Sequence, residues 1–470
     1  MTAALGAATD ETSASPAPPR RVPAAAGPAG RRALVAVAAL ALATQVASAT
    51  WLVRDFESPN AATDIARHMV RDGEMAGGNW ARLKGETRPQ DGSMRAFHLP
   101  AHPLYLAAGM RALPPALTRY WSVPVTVTLI VAVAYVALLL GGARLALATG
   151  AIGALLPFTV LHGPVWDDVF LGSAAAWAML ALVGRRLVAP DADPAGHRLG
   201  ALLLVAGAAA VGALTRSEEQ AIAGLVVLLL VAVPGYRRAR AEGVAIAAGV
   251  ALALAAWGAR NEAVLGRPFI GSTHDGISVW ESNGAHTDRA IDLGQVEALS
   301  TDPSVIGPVW ARTRDLSEIE ADAVFRRTGL AYIREHPVAA GRVMLRKLAV
   351  SLAGVRPELP LLAPRNLVAL LTNLALFAGA LVGLVALRRR SDRVRGAFPF
   401  LAVVAAVTVG LLLVGPIGIR YWITLQAALW VLSGAGLLEV ARVVRGRLPR
   451  LSGMARARMS TESESPRLVR

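Results

Sequence analysis

The chain contains no cysteine. That excludes disulfides and every zinc site built on thiolates. No H-E-x-x-H spacing occurs among its eight histidines, which removes the zincin type of helix. There is no Walker-type loop, and Asp275-Gly276 is an isolated turn signal rather than a nucleotide site. Heptads and internal repeats are also missing, so a coiled coil or a solenoid is excluded. Lysine is almost absent, with only Lys84 and Lys347 in 470 residues. The basic excess is therefore carried by arginine.

What the chain has is apolar length. Hydrophobic residues make up 54% of it and mean hydropathy is +0.47. Apolar runs recur near the roughly 20 residues a spanning helix needs. They fall near 33–53, 120–140, 144–161, 168–184, 199–214, 219–235, 241–258, 366–387, 397–415 and 421–440. The expected fold is an all-α polytopic membrane protein with about ten transmembrane helices. Arginines precede the first run (Arg20, Arg21, Arg31, Arg32). They also follow the fourth (Arg185, Arg186), sixth (Arg237, Arg238, Arg240), eighth (Arg388, Arg389, Arg390) and last (Arg442, Arg445, Arg447). With ten spans these flanks share one side, as cytoplasmic loops require, and both termini are expected to be cytoplasmic. The net charge of +15 then needs no nucleic-acid partner, because topology signals and attraction to anionic lipid account for it.

The expected organisation is a disordered cytoplasmic leader over 1–32 and an N-terminal transmembrane module over 33–258. Residues 259–365 form an outer loop, 366–440 the C-terminal transmembrane helices, and 441–470 a basic cytoplasmic tail. A first outer loop of about fifty residues or more lies within 54–119, longer than ordinary connections. Both outer loops carry expected amphipathic helices, at Ala101–Leu113, Leu316–Arg334 and Val338–Leu352.

Candidate chemistry clusters at the outer ends of the spans. Asp55 and Glu57 open the first loop, where a carboxylate can act as general base or bind a cation. Asp64 suits the start of a helix. Asp167 and Asp168 stand at the start of the fourth span, where the helix dipole favours acids, and form a second acidic candidate. Arg216 lies between two spans, where pairing with Glu219 is the bland reading. Arg260 ends the seventh span and Arg420 begins the last. Three outward arginines at one depth suggest an anionic head group such as a lipid phosphate. His98 and His102 are four apart, but Pro100 between them argues against a shared helix. Glu57 or Asp55 with His274 would suit a divalent metal, the one cofactor these residues suggest.

The order of short motifs resembles the GT-C class of membrane glycosyltransferases. The similar patterns are those of the bacterial protein O-mannosyltransferase-like and aminoarabinose-transferase-like enzymes. The matching residues are the acid near Asp55, then Ala66-Arg67 with Asp72-Gly73, and His102-Pro103-Leu104-Tyr105. Leu214-Thr215-Arg216-Ser217-Glu218 follows, then Arg260-Asn261 with Ser272-Thr273 and Asn283-Gly284, His336-Pro337 with Lys347, and Arg420-Tyr421. The resemblance covers most of residues 33–440. It implies transfer of a sugar, with inversion, from a polyprenyl phosphate to an acceptor hydroxyl on glycan, lipid or protein, at the outer face of a bacterial plasma membrane. Asp55 or Glu57 would be the base, since Ser58 stands where the resemblance places the acid. Arg216, Arg260, Lys347 and Arg420 would hold the lipid phosphate. His102, Tyr105, Asn261, His274 and Tyr421 would line the substrate side. The alternatives are a transporter or lipid flippase, which would place charge near mid-span, and a non-catalytic cell-envelope scaffold.

Overall fold

The computed structural model describes residues 27–53, 61–77, 94–188, 198–292, 303–313, 315–356, 359–389, 396–415 and 419–462. Every regular element among them is helical, apart from one isolated antiparallel bridge between Gly77 and Met94. Six helical segments are long and apolar enough to cross a membrane: Pro28–Leu52, Pro115–Gly141, Asp168–Val188, Pro234–Leu265, Pro364–Arg388 and Arg420–Arg445. Shorter apolar helices span Ala143–Leu155, Arg198–Ala213 and Phe398–Val414. The chain is a polytopic membrane protein. All ten apolar runs of the sequence fall on helices.

The elements run in chain order as follows. α1 is Pro28–Ala47, α2 Ala61–Arg71, α3 Ala101–Ala112, α4 Pro115–Thr118, α5 Val123–Gly141, α6 Ala143–Leu155 and α7 Pro157–His162. Then come α8 Asp168–Val188, α9 Arg198–Ala213, α10 Ser217–Ala232, α11 Arg240–Leu265, α12 Asp275–Ser282, α13 Thr287–Asp292 and α14 Pro303–Thr313. The last are α15 Glu318–Glu335, α16 Pro337–Ala353, α17 Pro364–Arg388, α18 Phe398–Val414 and α19 Ile423–Glu462. The run expected at 144–161 is interrupted at Leu156, because Pro157 cannot continue a helix and instead starts α7. Gly142 reverses the chain between α5 and α6 with φ of 81°, a conformation that glycine adopts without a Cβ penalty.

The spanning helices pack through small residues, as expected where lipid supplies no hydrophobic drive between helices. Gly379 and Gly383 of α17 face Ser433 and Gly436 of α19. A Cβ on Gly383 would sit 1.7 Å from the Leu432 carbonyl oxygen, and one on Gly436 would sit 2.1 Å from that of Gly379. The two backbones meet there with no room for a side chain. The main core joins Leu129, Ile130, Phe170, Trp177, Trp422 and Trp430 across the central helices.

A helical cap sits against one end of this bundle. Its own core gathers Ile65 of α2, Met94, Phe97, Ile277 and Trp280 of α12, Val309 of α14 and Phe325 of α15. α15 begins in a capping box of Ser317 and Glu320, which satisfies two of its free amide donors. Ala101 N donates to Leu214 O at 2.9 Å, joining cap to bundle, and Thr273 N donates to Ala96 O at 2.9 Å between two strips of the cap. α1 ends in a π-type turn, Ser48–Leu52, directly before the acidic segment. Gln45 Nε2, donating to Thr159 O at 3.2 Å, holds that end against α7.

Candidate active site

Five chain segments converge where the bundle meets the cap. These are the start of α8, the start of α10, the 3-10 turn Ile419–Trp422 that leads into α19, and the strips around Phe97-His98 and His274. Arg216 Nη1 lies 2.9 Å from Asp168 Oδ2, and its Nε is paired with the Glu218 carboxylate. Arg420 Nη1 lies 3.4 Å from Asp167 Oδ2. The Tyr421 ring lies under both guanidinium groups, 5.0 Å from Arg216 Cζ and 4.9 Å from Arg420 Cζ. The Tyr421 hydroxyl accepts from Arg420 Nη2 at 2.9 Å. Two cations thus share one aromatic ring, and each is held by one of two adjacent carboxylates. The pairing of Arg216 with Glu219 expected from the sequence is not the one formed.

The groups of this cluster are poorly solvated, and their titrations follow from that. Burial pushes the Asp167 carboxyl up to about 6, with Arg420 pulling it back and Asp168 adding to the rise. Burial also pulls His98 and His102 down to about 4 and His274 to about 3, with the nearby arginines adding to the effect. All three imidazoles are therefore neutral at pH 7, serving as hydrogen-bonding groups rather than as cations. The rings of His98 and His274 lie 5.2 Å apart, and Phe97 packs edge-on to His274 at 4.8 Å. Pro100 caps α3, so His98 sits in the loop before that helix and His102 on its first turn. Both nonetheless come close enough to feel the charges of Asp168 and Arg216.

Glu219 lies one turn below this cluster in α10 and is 3% exposed. Its Oε1 accepts from Thr424 Oγ1 at 3.3 Å, and Thr424 Oγ1 is 2.6 Å from Ser173 Oγ. A polar chain therefore links α10, α19 and α8, the three helices whose starts carry the paired arginines and aspartates. Ser217 Oγ donates to Asp275 Oδ2 at 2.8 Å, tying α10 to the cap. Glu318, also buried, accepts from the backbone amides of Arg95 and Ala96 at 3.1–3.4 Å and orients the Phe97-His98 strip. The sequence carried no signal for Glu318, because its partners are main-chain amides. Glu219 had one: an acid inside an apolar helix is costly and marks a functional or structural constraint.

Other residues singled out in the sequence lie apart from this cluster. Arg260 Nη1 donates to Arg95 O at 2.7 Å and to Asn261 Oδ1 at 2.9 Å, and its Nη2 to Met75 O at 3.0 Å. Asn261, fully buried, donates to Phe269 O at 2.5 Å. Lys347 is 0% exposed and its Nζ donates to Ser282 O at 3.0 Å and Gly415 O at 2.9 Å. Burial lowers its amine to about 7. The Tyr105 hydroxyl donates to Trp121 O, and the two rings stack at 5.1 Å. Asp55 and Glu57 lie outside the described residues. Among the described residues no three His, Asp or Glu side chains are grouped to hold a metal ion. His274 Nδ1 lies 3.1 Å from Ser278 Oγ, and the Glu57 that would join it at a metal is not among the described residues.

No family model matches the chain, and no curated protein matches it in sequence. Over most of its length the chain is similar in structure to two solved proteins. One is the archaeal oligosaccharyltransferase AglB from Archaeoglobus fulgidus, solved with an inhibitory peptide and a dolichol-phosphate. The TM-score is 0.48 at 14% identity, over 90% of this chain and 51% of that one. The other is ArnT from Cupriavidus metallidurans. Bound to undecaprenyl phosphate it gives 0.38 at 17% identity, over 86% of this chain and 77% of that one. In the apo state it gives 0.37 at 18% identity, over 87% and 78%. The chain spans about half the length of the archaeal enzyme it matches.

Proposed function

We propose that the protein is an integral membrane glycosyltransferase that moves a sugar from a polyprenyl-phosphate donor to an acceptor hydroxyl. The observation that carries this reading is the pair of guanidinium groups, Arg216 and Arg420, stacked on Tyr421 and braced by Asp168 and Asp167. As the bond between the anomeric carbon and the phosphate oxygen breaks, negative charge grows on the phosphate. Cations already oriented in a poorly solvated pocket stabilise that charge without reorganising. A guanidinium has five N–H donors, and the described pairs of Arg216 engage two of its nitrogens. The bracing carboxylates keep the cations in place before the donor arrives.

The acceptor oxygen gives its proton to a carboxylate and attacks the anomeric carbon from the face opposite the phosphate, which inverts the configuration. Asp55 or Glu57, at the end of the first span, is the proposed base. Asp167 and Asp168 are the second candidates. Asp167, pushed up to about 6, is ionised at pH 7 yet more basic than an ordinary carboxylate. The neutral His98, His102 and His274 offer hydrogen bonds to sugar or acceptor hydroxyls. A divalent metal would need Glu57 with His274. In this reading ten helices cross a bacterial plasma membrane, both termini are cytoplasmic, and the pocket opens outward between two large loops. The arginine-rich flanks support that orientation. The acceptor is a glycan, lipid or protein.

The test is transfer from a panel of radiolabelled polyprenyl-phosphate sugars in membranes carrying wild type, Asp55→Asn, Glu57→Gln, Asp167→Asn or Asp168→Asn. Transfer that collapses in one carboxylate variant establishes the reaction and names the base. No transfer from any donor, with lipid binding intact, would favour a transporter or scaffold instead.

A further inference from the structure

At the end of the bundle remote from the carboxylate site lies an apolar cavity of about 310 Å³. That falls within the roughly 300–1,000 Å³ of small-molecule sites. Its walls come from the last turns of α5 and α8, the first turns of α18, and the 3-10 turn Pro234–Ala239, including Leu140, Gly184, Leu187, Tyr236 and Phe400. The side chain of Tyr236 does not leave a polar group in the cavity unpaired: its hydroxyl donates to Gly396 O at 2.8 Å and closes one wall. α8 carries Asp168 at its first residue and Gly184–Val188 at its last turns, so this cavity and the carboxylate pocket sit at opposite ends of one helix.

The rim has the opposite character to the walls. Exposed Arg237 and Arg238 directly follow Tyr236. Exposed Arg388, at the end of α17, stacks 5.9 Å from the Phe398 ring, beside the lining residue Ala397. Arg186, at the end of α8, reaches the Arg238 carbonyl at 3.3 Å and so holds two parts of the rim together. Glu242, a buried acid, lies 3.4 Å from Arg186. An apolar slot ringed by cations at one end of a membrane bundle matches one molecule in both parts: an acyl chain attached to an anionic head group.

We infer that this cavity binds one anionic phospholipid, its acyl chain lying between α5, α8 and α18 and its phosphate against Arg237, Arg238 and Arg388. The inference is independent of the reaction at the other end. It is tested by native mass spectrometry of the detergent-purified full chain, with phosphatidylglycerol or phosphatidylcholine of identical acyl composition. Wild type should retain phosphatidylglycerol at least about tenfold more than phosphatidylcholine. Leu140→Trp, which fills the cavity, should abolish that retention. Arg237→Gln with Arg238→Gln should reduce it to the phosphatidylcholine level. The arginine pair is on the surface and decides the matter if the tryptophan variant fails to fold. Equal retention of the two lipids by wild type would overturn the inference. So would undiminished retention of phosphatidylglycerol in the arginine variant.

Discussion

Arg216 and Arg420 differ from Arg260 and Lys347 in what their donors touch. Arg216, Arg260 and Arg420 stand at span ends and Lys347 within α16, and all four resemble phosphate ligands in the sequence. Arg216 and Arg420 meet carboxylates and a shared tyrosine ring in one cluster where bundle meets cap. Lys347 directs its donors to main-chain carbonyls, and Arg260 to two main-chain carbonyls and the neighbouring Asn261 side chain, joining α16 and α11 to neighbouring loops. A cation paired with side chains that can re-pair is available to a ligand, whereas one that completes buried backbone hydrogen bonds is a brace. Cations singled out together in the sequence therefore serve two ends. The Lys347 brace bears indirectly on the site, because Gly415 lies a few residues before Arg420.

This contrast yields graded expectations. Arg216→Gln or Arg420→Gln should lower sugar transfer by about 10²–10³-fold, the usual cost of removing one preorganised charge-stabilising group. Because Arg216→Gln leaves Asp168 without its partner, the double variant Arg216→Gln/Asp168→Asn should recover the unfolding temperature but not the transfer. Next comes pH. Below about 6 Asp167 is protonated and its pair with Arg420 is lost. Transfer should fall about tenfold from pH 7 to pH 5, one unit below that value. Asp167→Asn should flatten that part of the profile. In stability the sign is reversed. The folded chain holds the Asp167 proton more tightly than the unfolded one, so this group's contribution declines as pH rises from about 4 to 6.

Lys347→Met should change the transfer rate of the folded protein by less than about threefold but destabilise it, since two buried carbonyls lose their donor at about 1–3 kcal/mol each. The pH test separates brace from ligand. With its amine lowered from 10.5 to about 7, Lys347 is more protonated unfolded than folded between those values. Its contribution to stability should rise with pH from about 7 to 10.5. Thermal unfolding in detergent across that range should show the slope in wild type and lose it in Lys347→Met. A neutral amine keeps two N–H donors, which still match the two carbonyls. The smallest effect is expected for Arg260→Lys. It keeps the charge but not the forked geometry, so it should lower the unfolding temperature slightly and leave donor binding unchanged.

The helices were legible in the sequence because their signals are local. Apolar length marks the spans, although the run at 144–161 was read through Pro157, which breaks it, and the capping box of Ser317 and Glu320 was not singled out. The convergence of Asp167, Arg216 and Arg420 was only partly legible. Each stood out as a charge at a span end, but the partners that meet lie 48 and 253 positions apart in the chain. Nothing local says that Arg216 chooses Asp168 and Glu218 over Glu219. Gly379 and Gly383 carry the small-xxx-small spacing, yet only the facing Gly436 on another helix gives that spacing its meaning. The base remains assigned by motif order alone, since Asp55 and Glu57 lie outside the described residues.

The central claim is that a lipid phosphate is held by the arginine pair on Tyr421 and not by the braced cations. The direct measurement is binding of undecaprenyl phosphate to purified wild type, Arg216→Gln/Arg420→Gln and Arg260→Gln/Lys347→Met, with folding of each checked by thermal unfolding. The account predicts that binding weakens by at least about tenfold in the first variant and stays within about twofold of wild type in the second. Unchanged binding in the first variant, or selective loss in a folded second variant, would contradict it.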